Sequence, residues 1–248
     1  MKVDDILNSA TLKIESGLNF RPLGSQIENF NSHLIYRSGD PSQLKKEDIE
    51  TISEIGVKCY FDLRSDEETL KNKLPDDFQK KGIDHQLTSI SGYHHKFEKI
   101  LYPTYEDYAL YYMDILEYGK NSLHKVIKSI AYDKLPIAYG CSAGKDRTGV
   151  VSSVILKAMG ISDGQIAHDY AMTSKYLLPK INYFESFWTK IGISKEDYIR
   201  RIDTKEETMY IFLELTNKKY GSIFKYLYEI GVSEIDILKI KKRLLKEW

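Results

Sequence analysis

The residues with the most evident chemical potential lie in the segment 140–149, which reads GCSAGKDRTG. Cys141 and Arg147 have the spacing Cys-x5-Arg, in which a planar guanidinium can hold two phosphate oxygens while the sulfur faces phosphorus. A β-rich stretch precedes the segment and an apolar helical pattern follows it. Free N–H groups and the positive end of the helix dipole would then converge on one point, where they favour thiolate over thiol. The segment therefore predicts a phosphate cradle that contains a nucleophilic cysteine.

The other residues of this segment have predicted roles in the same cradle. Gly144 lets the backbone curl tightly, and Thr148 is placed to donate its hydroxyl to the cysteine sulfur. Lys145 is expected to contact a phosphate or carboxylate of the substrate, with simple charge balance against Asp146 as the alternative. The predicted phosphate-binding residues are Ser142, Ala143, Gly144, Lys145, Asp146, Arg147 and Thr148.

A proton donor for the leaving oxygen is the least determined part of the predicted site. Asp146 is the leading candidate because it lies inside the cradle beside the arginine. Alternatively, its carboxylate accepts hydrogen bonds from loop amides at a helix N-terminus. The rival candidates are Glu98, Glu106, Asp107 and the adjacent pair His94 and His95. The two histidines lack the partner carboxylates or cysteines of a metal site, and a solvated loop is the alternative explanation for them.

Two residues at the end of a predicted buried strand could support the cradle. Asp62 and Arg64 could face the pocket or form a structural ion pair that braces the loop. Cys59, in the middle of the same strand, is expected to be a small core residue, and resolution of an oxidised Cys141 is the alternative. The acidic run 66–68 is expected to be a solvated helix start.

Hydrophobic periodicity predicts the elements that position these residues. β-rich segments are predicted at 34–36, 57–63, 83–90 and 135–140, and helices at 45–55, 105–130, 147–159 and over most of the chain after 162. Strands that alternate with helices predict an α/β fold with a central, mostly parallel sheet flanked by helices. No repeat or linker divides the chain, so one domain over 1–248 is predicted, with a helical extension over about 162–248.

Composition indicates an ordinary folded domain and narrows the classes of partner. The chain has 248 residues, 42% of them hydrophobic, and Lys plus Arg and Asp plus Glu both total 36. Nucleic acid is therefore not an expected partner, and no apolar run reaches membrane-spanning length. With two cysteines and no apolar core in residues 1–18, neither a disulfide framework nor a secretory signal is expected. The expected compartment is a reducing cytoplasm, and secretion without a visible signal is left open.

Six segments, in a consistent order, resemble the bacterial tyrosine phosphatases that carry an HCxxGKDRTG loop. They are Asn19-Phe20-Arg21, Tyr36-Arg37-Ser38, Asp62-Leu63-Arg64-Ser65, the loop itself, Asp169-Tyr170 and Tyr220-Gly221-Ser222. The resemblance implies that Cys141 takes the phosphoryl group as a thiophosphate, an acid protonates the leaving oxygen, and water releases phosphate. It implies no metal and no cofactor. Some members are described as acting on phosphotyrosine, phosphoserine or phosphothreonine, and phosphoinositides, so a phosphorylated protein, lipid or small molecule is the expected substrate.

Three departures from that family pattern bear on activity. Gly140, preceded by Tyr139, stands where the family has the histidine that orders the loop and favours the thiolate. Pro22 stands where the family has aspartate, so Arg21, a supporting residue of the site together with Asp62 and Arg64, lacks that neighbouring carboxylate. Residues 92–95 read GYHH where relatives can carry an acid on a mobile loop. Two hypotheses result: an active phosphomonoesterase, or a catalytically impaired module that binds phosphate.

Overall fold

The central sheet carries the loop that the sequence singles out. The structure is a computed structural model in which residues 14–91, 97 and 100–248 are described. Its five strands have the order β1-β2-β5-β3-β4, where β1 is Arg21–Pro22, β2 is Ile35–Ser38, β3 is Cys59–Asp62, β4 is Asp84–Leu87 and β5 is Ile137–Gly140. β1 pairs antiparallel with β2, and the remaining pairs are parallel. The predicted α/β class with a mostly parallel sheet is confirmed.

Register brings the carboxyl ends of the three central strands to one edge. Ser38 and Asp62 both lie opposite Gly140, the last residue of β5. The loops that follow these three strands therefore meet above that edge, which is where ligands bind in open parallel sheets.

Short helices connect and cover the strands. In chain order they are α1 (Lys46–Glu54), α2 (Asp66–Lys71), α3 (Asp77–Lys80), α4 (Tyr105–Tyr118), α5 (Lys120–Tyr132), α6 (Asp146–Ala158), α7 (Asp163–Ala171), α8 (Thr173–Leu177), α9 (Glu185–Ile191), α10 (Lys195–Ile202), α11 (Glu206–Tyr220), α12 (Ile223–Glu229) and α13 (Glu234–Leu244). The segments Ser32–Leu34, Pro41–Gln43 and Leu178–Phe184 form 3₁₀ helices. Several helices begin at a side chain that accepts a backbone N–H, as Ser65 does for α2 and Thr104 for α4.

One predicted helix is two helices in the structure. The periodic pattern over 105–130 divides at Gly119, where the N–H bonds to the carbonyl of Ile115 and the chain turns from α4 into α5. A Cβ at Gly119 would lie 2.6 Å from that carbonyl oxygen and 3.1 Å from the side chain of Ile90. The apolar periodicity continues across the turn because both helices pack on the same core, so the pattern alone hides the break.

Alternating side chains divide the core into two layers on opposite faces of the sheet. Phe61 and Tyr139 belong to the larger cluster, which α4, α5 and α6 cover, whereas Tyr60 and Ala138 belong to the smaller cluster beneath α1 and α3. The helical extension contributes buried residues such as Phe212 to the larger cluster. The single domain predicted over residues 1–248 stays a prediction.

Of the helices in the described part of the chain, none combines the length and apolar character needed to cross a bilayer.

Candidate active site

The loop between β5 and α6 holds the predicted nucleophile in a buried turn. Cys141 is 2% exposed, and residues 141–145 join the end of the strand to the first turn of the helix. Gly144 has a φ of +68°, and a Cβ there would lie 2.5 Å from the carbonyl oxygen of Ser38. Only glycine can therefore close this turn against β2.

Thr148, in the first turn of α6, contacts the cysteine directly. Its hydroxyl oxygen lies 3.2 Å from the Cys141 sulfur and 3.3 Å from the carbonyl oxygen of Ser38. A hydroxyl has one proton to donate, so it can bond either acceptor. A charged thiolate is the stronger acceptor, and the contact therefore favours the nucleophilic form of the sulfur.

Arg147 is fixed at the mouth of the loop by a carboxylate that the sequence did not reveal. Its two terminal nitrogens donate to the two carboxylate oxygens of Glu68 at 2.7 and 2.8 Å. One of them also donates to the Ser142 hydroxyl at 3.1 Å, and the other to the carbonyl of Leu63 at 3.2 Å. These bonds hold the guanidinium plane in one orientation beside the loop.

Glu68 reaches Arg147 because the start of α2 is rigidly capped. The hydroxyl of Ser65 accepts the N–H of Glu68, and the Glu68 carboxylate accepts the N–H of Ser65 in return. Burial opposes ionisation, but the bonds and charge of Arg147, with a bond from the Ser142 hydroxyl, hold the pKa of Glu68 well below its usual range. The expectation that 66–68 is simply solvated is wrong for Glu68. The Ser-x-x-Glu spacing could have signalled the cap, but not the contact with the loop.

Lys145 and Asp146 are paired with each other at the base of the cleft. The Lys145 ammonium lies 2.9 Å from an Asp146 carboxylate oxygen and 4.0 Å from the centre of the Tyr108 ring. Burial would lower the pKa of Lys145, but the charge of Asp146 and the hydroxyls of Tyr108 and Tyr170 raise it well above its usual value. The hydroxyl of Tyr112 donates to the same Asp146 oxygen at 2.8 Å. Lys145 and Asp146 both line the cleft, as expected for residues of the predicted site. The contact of Lys145 with Asp146 is the charge balance predicted as the alternative role of this lysine.

Asp62 and Arg64 form an ion pair next to the loop. Arg64 donates to both Asp62 oxygens, at 2.9 and 2.7 Å, and pairs with Asp40 on its other side. Burial opposes the ionised form of Asp62, but bonds from His85 and Arg64 lower its pKa. The backbone N–H of Asp40 donates to the carbonyl of Ser142 at 2.9 Å. The Asp62–Arg64 pair therefore supports the loop through Asp40. Arg64 also lines the cleft, whereas Asp62 is fully buried.

Arg21 lies behind the loop and not in the cleft. Its guanidinium donates to the carbonyl of Asp169 at 2.9 Å, and its pKa falls to about 9 because of burial and the charge of Arg37. Arg37 donates to the Asp169 carboxylate at 2.7 Å and to the carbonyl of Gly144 at 3.0 Å. The side chain of Asn19 donates to the same carbonyl at 2.6 Å. The Asp169 carboxylate, 3.9 Å from the Arg21 guanidinium, is thus a charged neighbour from a distant segment, and the network holds the glycine turn.

The rival proton donors fall into two groups. Asp107 forms a cap with Thr104 at the start of α4, and Glu106 beside it is exposed. Neither of them lines the cleft. Glu98, His94 and His95, with the rest of the segment 92–95, lie outside the described residues.

Cys59 lies at the opposite end of the sheet from Cys141, the predicted nucleophile. It pairs with Ile137, four residues before Cys141, which separates the two cysteines by roughly 13 Å along the strand. A disulfide needs Cα atoms within about 7 Å. Burial and the charge of Asp84 raise the pKa of Cys59 to about 12. Its expected role as a core residue fits this environment better than resolution of an oxidised Cys141.

The loop opens into a cleft of about 710 Å³ with aromatic walls. Ser142, Ala143, Lys145 and Asp146 line its base. The wall is built by Phe97, Tyr108, Tyr111, Tyr183, Phe187 and Tyr198. A flat ring could therefore be stacked above the loop. The wall comes from α4, α9 and α10 and adjacent segments, and sequence reasoning did not assign these aromatics to a site.

Comparison with known proteins shows the family to which the chain belongs. The model of the tyrosine phosphatase family matches residues 12–246, so the chain belongs to the tyrosine phosphatase family. It is a phosphatase enzyme of the cysteine type.

Individual relatives are distant. A tyrosine-protein phosphatase of Nostoc commune is 26% identical over an alignment 219 positions long, which covers 84% of this chain and 73% of the relative. The triple specificity protein phosphatase PtpB of Mycobacterium tuberculosis is 22% identical over an alignment 282 positions long, gaps included, which covers 95% of this chain and 99% of the relative. Among solved structures, the catalytic core of Siw14, from S. cerevisiae, aligns with 84% of this chain and 94% of its own. Its identity is 18% and the TM-score is 0.44.

Proposed function

We propose that this chain hydrolyses phosphate monoesters, phosphotyrosine-type esters first among them, through a thiophosphoryl intermediate on Cys141. The observation that carries this function is the Thr148 hydroxyl, 3.2 Å from the cysteine sulfur, in a loop whose Arg147 is held by the two hydrogen bonds that it donates to the Glu68 carboxylate. A stabilised thiolate and a fixed guanidinium are the two parts that phosphoryl transfer through cysteine needs.

The two steps follow from the positions of these groups. First, the thiolate attacks phosphorus, and the P–O bond to the leaving group breaks with its electron pair on the leaving oxygen. Asp146 gives that oxygen a proton, and Arg147 binds the non-bridging oxygens. Water then attacks phosphorus, the S–P bond breaks with its pair returning to Cys141, and the carboxylate of Asp146 takes the water proton. The lining of the cleft by Asp146 supports this role.

The aromatic wall of the cleft supports an aryl ester as the preferred substrate. A phenyl ring placed between Tyr108 and Tyr198 would be shielded from water while its phosphate lies on the loop. The name of the relative PtpB, a triple specificity phosphatase, motivates a wider range. The proposed range of substrates therefore includes phosphoserine, phosphothreonine and phosphoinositides, so that the substrate is a phosphorylated protein, lipid or small molecule. Because the sulfur must be a free thiol, a reducing cytoplasm is the proposed compartment.

Hydrolysis of an aryl phosphate by matched cysteine variants tests this function. Cys141→Ser should lose turnover but still bind inorganic phosphate, because the loop amides and Arg147 remain. Cys59→Ala removes the other thiol, which is buried and distant, and should keep turnover within about threefold. Substantial turnover by Cys141→Ser would show that another group is the nucleophile.

A second function is favoured by one specific observation, the glycine at position 140. Without the histidine of the family pattern, the loop could bind phosphate but hydrolyse phosphate esters too slowly to act as an enzyme. Phosphate binding by wild type, with hydrolysis no faster than that of Cys141→Ser, would establish this impaired, phosphate-binding role in place of the enzymatic one.

A further inference from the structure

Gly140, immediately before the cysteine, has no room for a side chain. A Cβ at this position would overlap the hydroxyl oxygen of Tyr60. It would also lie only 2.7 Å from the carbonyl oxygen of Ser38 and 2.9 Å from that of Gly39. The space that a residue at 140 would use is therefore already filled, and the group that fills it is a phenol.

The direction of the strand explains which tyrosine fills this space. Side chains alternate along β5, so a side chain at Gly140 would point to the same face as Ala138, where Tyr60 also packs. Tyr139 points to the opposite face, where its hydroxyl bonds to Ser152 at 2.8 Å. Although it is the neighbour in sequence, Tyr139 cannot replace the missing side chain.

Tyr60 is held firmly in this position. It is fully buried on β3, and its ring meets that of Phe78 edge to face, with centroids 5.6 Å apart. Its hydroxyl donates to the carbonyl oxygen of Gly39 at 3.0 Å. Burial raises the pKa of Tyr60 well above its ordinary value, so the phenol keeps its proton over the pH range of an assay.

The backbone segment that Tyr60 holds, residues 38–40, supports the catalytic loop at several points. The carbonyl of Ser38 accepts from the Thr148 hydroxyl at 3.3 Å, and the N–H of Asp40 donates to the carbonyl of Ser142 at 2.9 Å. A shift of this segment would move the hydroxyl that contacts sulfur as well as the loop that carries the phosphate-binding amides.

We propose that Tyr60 is a positioning residue that fills the place left by the glycine at 140 and, through the segment 38–40, keeps Thr148 and the loop in register with Cys141. This role rests on the proposed function of Cys141 as nucleophile. A histidine at position 140 would have to displace the phenol, so we expect Gly140→His to disrupt the loop.

The first test compares two tyrosines that each lose only a hydroxyl. Tyr60→Phe removes the bond to Gly39, whereas Tyr36→Phe removes a buried hydroxyl of the same cluster that has no hydrogen-bond partner among the described residues. The measurements are the pH midpoint of Cys141 alkylation by iodoacetamide, kcat on an aryl phosphate, and the thermal unfolding midpoint. Tyr60→Phe should raise the alkylation midpoint by about half a pH unit or more and lower kcat about tenfold, and Tyr36→Phe should change neither.

The second test asks whether the phenol and the glycine depend on each other. Gly140→Ala places a methyl against the phenol oxygen, so it should be less harmful to alkylation and kcat in the Tyr60→Phe background than in wild type. Identical behaviour of Tyr60→Phe and Tyr36→Phe at equal thermal stability would overturn the positioning role of Tyr60. Equal harm by Gly140→Ala in both backgrounds would show that the carbonyls of Ser38 and Gly39, and not the phenol, exclude a side chain at 140, and would overturn the dependence of Tyr60 and Gly140 on each other. The alkylation midpoints need only the thiol, so they decide this question even if wild type proves to have no turnover.

Discussion

Replacing Glu68 with glutamine tests how far catalysis depends on the orientation of Arg147. The change keeps the size of the side chain and one acceptor oxygen, but removes the charge and turns an amide N–H₂ toward a donor. An exposed ion pair contributes about 0–1 kcal/mol, whereas removing one partner of a buried pair costs about 3–5 kcal/mol. Glu68 is 33% exposed and Arg147 is 7% exposed. An intermediate loss of folding free energy, about 2 kcal/mol, is therefore expected for the pair. If the orientation of Arg147 contributes the same amount to transition-state binding, kcat/KM falls about 30-fold.

Glu67 provides the matched control on the same helix. It is exposed and also lines the cleft, so Glu67→Gln removes the same charge from the same region without touching the guanidinium. We expect Glu67→Gln to change kcat/KM for an aryl phosphate less than about threefold, because exposed charges are screened. Urea unfolding of both variants would separate a loss of orientation from a loss of folded protein.

The pH dependence of the Glu68→Gln deficit is a further check. Arg147 holds the pKa of Glu68 below its unfolded value of about 4.3, so its stabilisation is present above that pH and is lost as the pH falls through the lowered pKa. The deficit should consequently be constant between about pH 5 and 8. Equal kcat/KM for the two variants would refute the orienting role. Faster turnover by Glu68→Gln would show instead that the carboxylate competes with phosphate for Arg147.

Three other outcomes are expected from the site and its supports. Asp146→Asn should lower kcat about 100-fold for phenyl phosphate but much less for esters of acidic phenols, which leave without a proton; an equal loss for both would contradict its role as acid. Activity should persist after metal chelation and be inhibited by vanadate, because Cys141, Arg147 and the loop amides supply the chemistry; activity restored only by a divalent ion would contradict this. Asp169→Asn should lower the unfolding free energy by about 3 kcal/mol at neutral pH, since Arg37 is left buried without its partner. Burial opposes the ionised form of Asp169, but Arg37 and Arg21 lower its pKa. The difference in unfolding free energy between wild type and Asp169→Asn, measured by urea titration, should therefore narrow only below about pH 4.

Local pattern was sufficient to predict the class of the fold and the strand, loop and helix that carry Cys141 and Arg147. The strand, the loop and the helix that hold Cys141 and Arg147 are contiguous in sequence, and each is specified by short-range periodicity and by glycine. The parallel sheet followed from the alternation of strands and helices, which is also a sequential property.

The partners of the loop could not be predicted in the same way, because they arrive through long-range packing. Glu68 precedes Arg147 by 79 residues, and Asp169 follows Arg37 by 132. The Ser-x-x-Glu spacing marks Glu68 as the cap of α2. Acidic residues at a helix start are usually solvated, however, so nothing local marks Glu68, and not Glu67, as the partner of Arg147. Tyr60 was hidden for a related reason: the strand pattern predicts that it is buried, but not that its oxygen occupies the space beside Gly140.

The charges around the loop bear on how the proposed substrate, a doubly charged phosphate, would be recognised by a chain without excess positive charge. Arg147 is paired with Glu68, Lys145 with Asp146, and Arg37 with Asp169. Arg147 and Arg37 are fixed and largely neutralised before substrate enters, and Lys145 is neutralised in the same way until Asp146 takes up the proton that it donates. The summed field of these cations therefore does not supply most of the binding. Backbone N–H groups at a helix start, such as that of α6, are dipoles fixed by the fold, and they need no reorientation when phosphate arrives. Recognition then depends on the shape of the loop, which is why its supports, Glu68, Tyr60 and the Arg37–Asp169 pair, should matter as much to turnover as the charge of any single side chain.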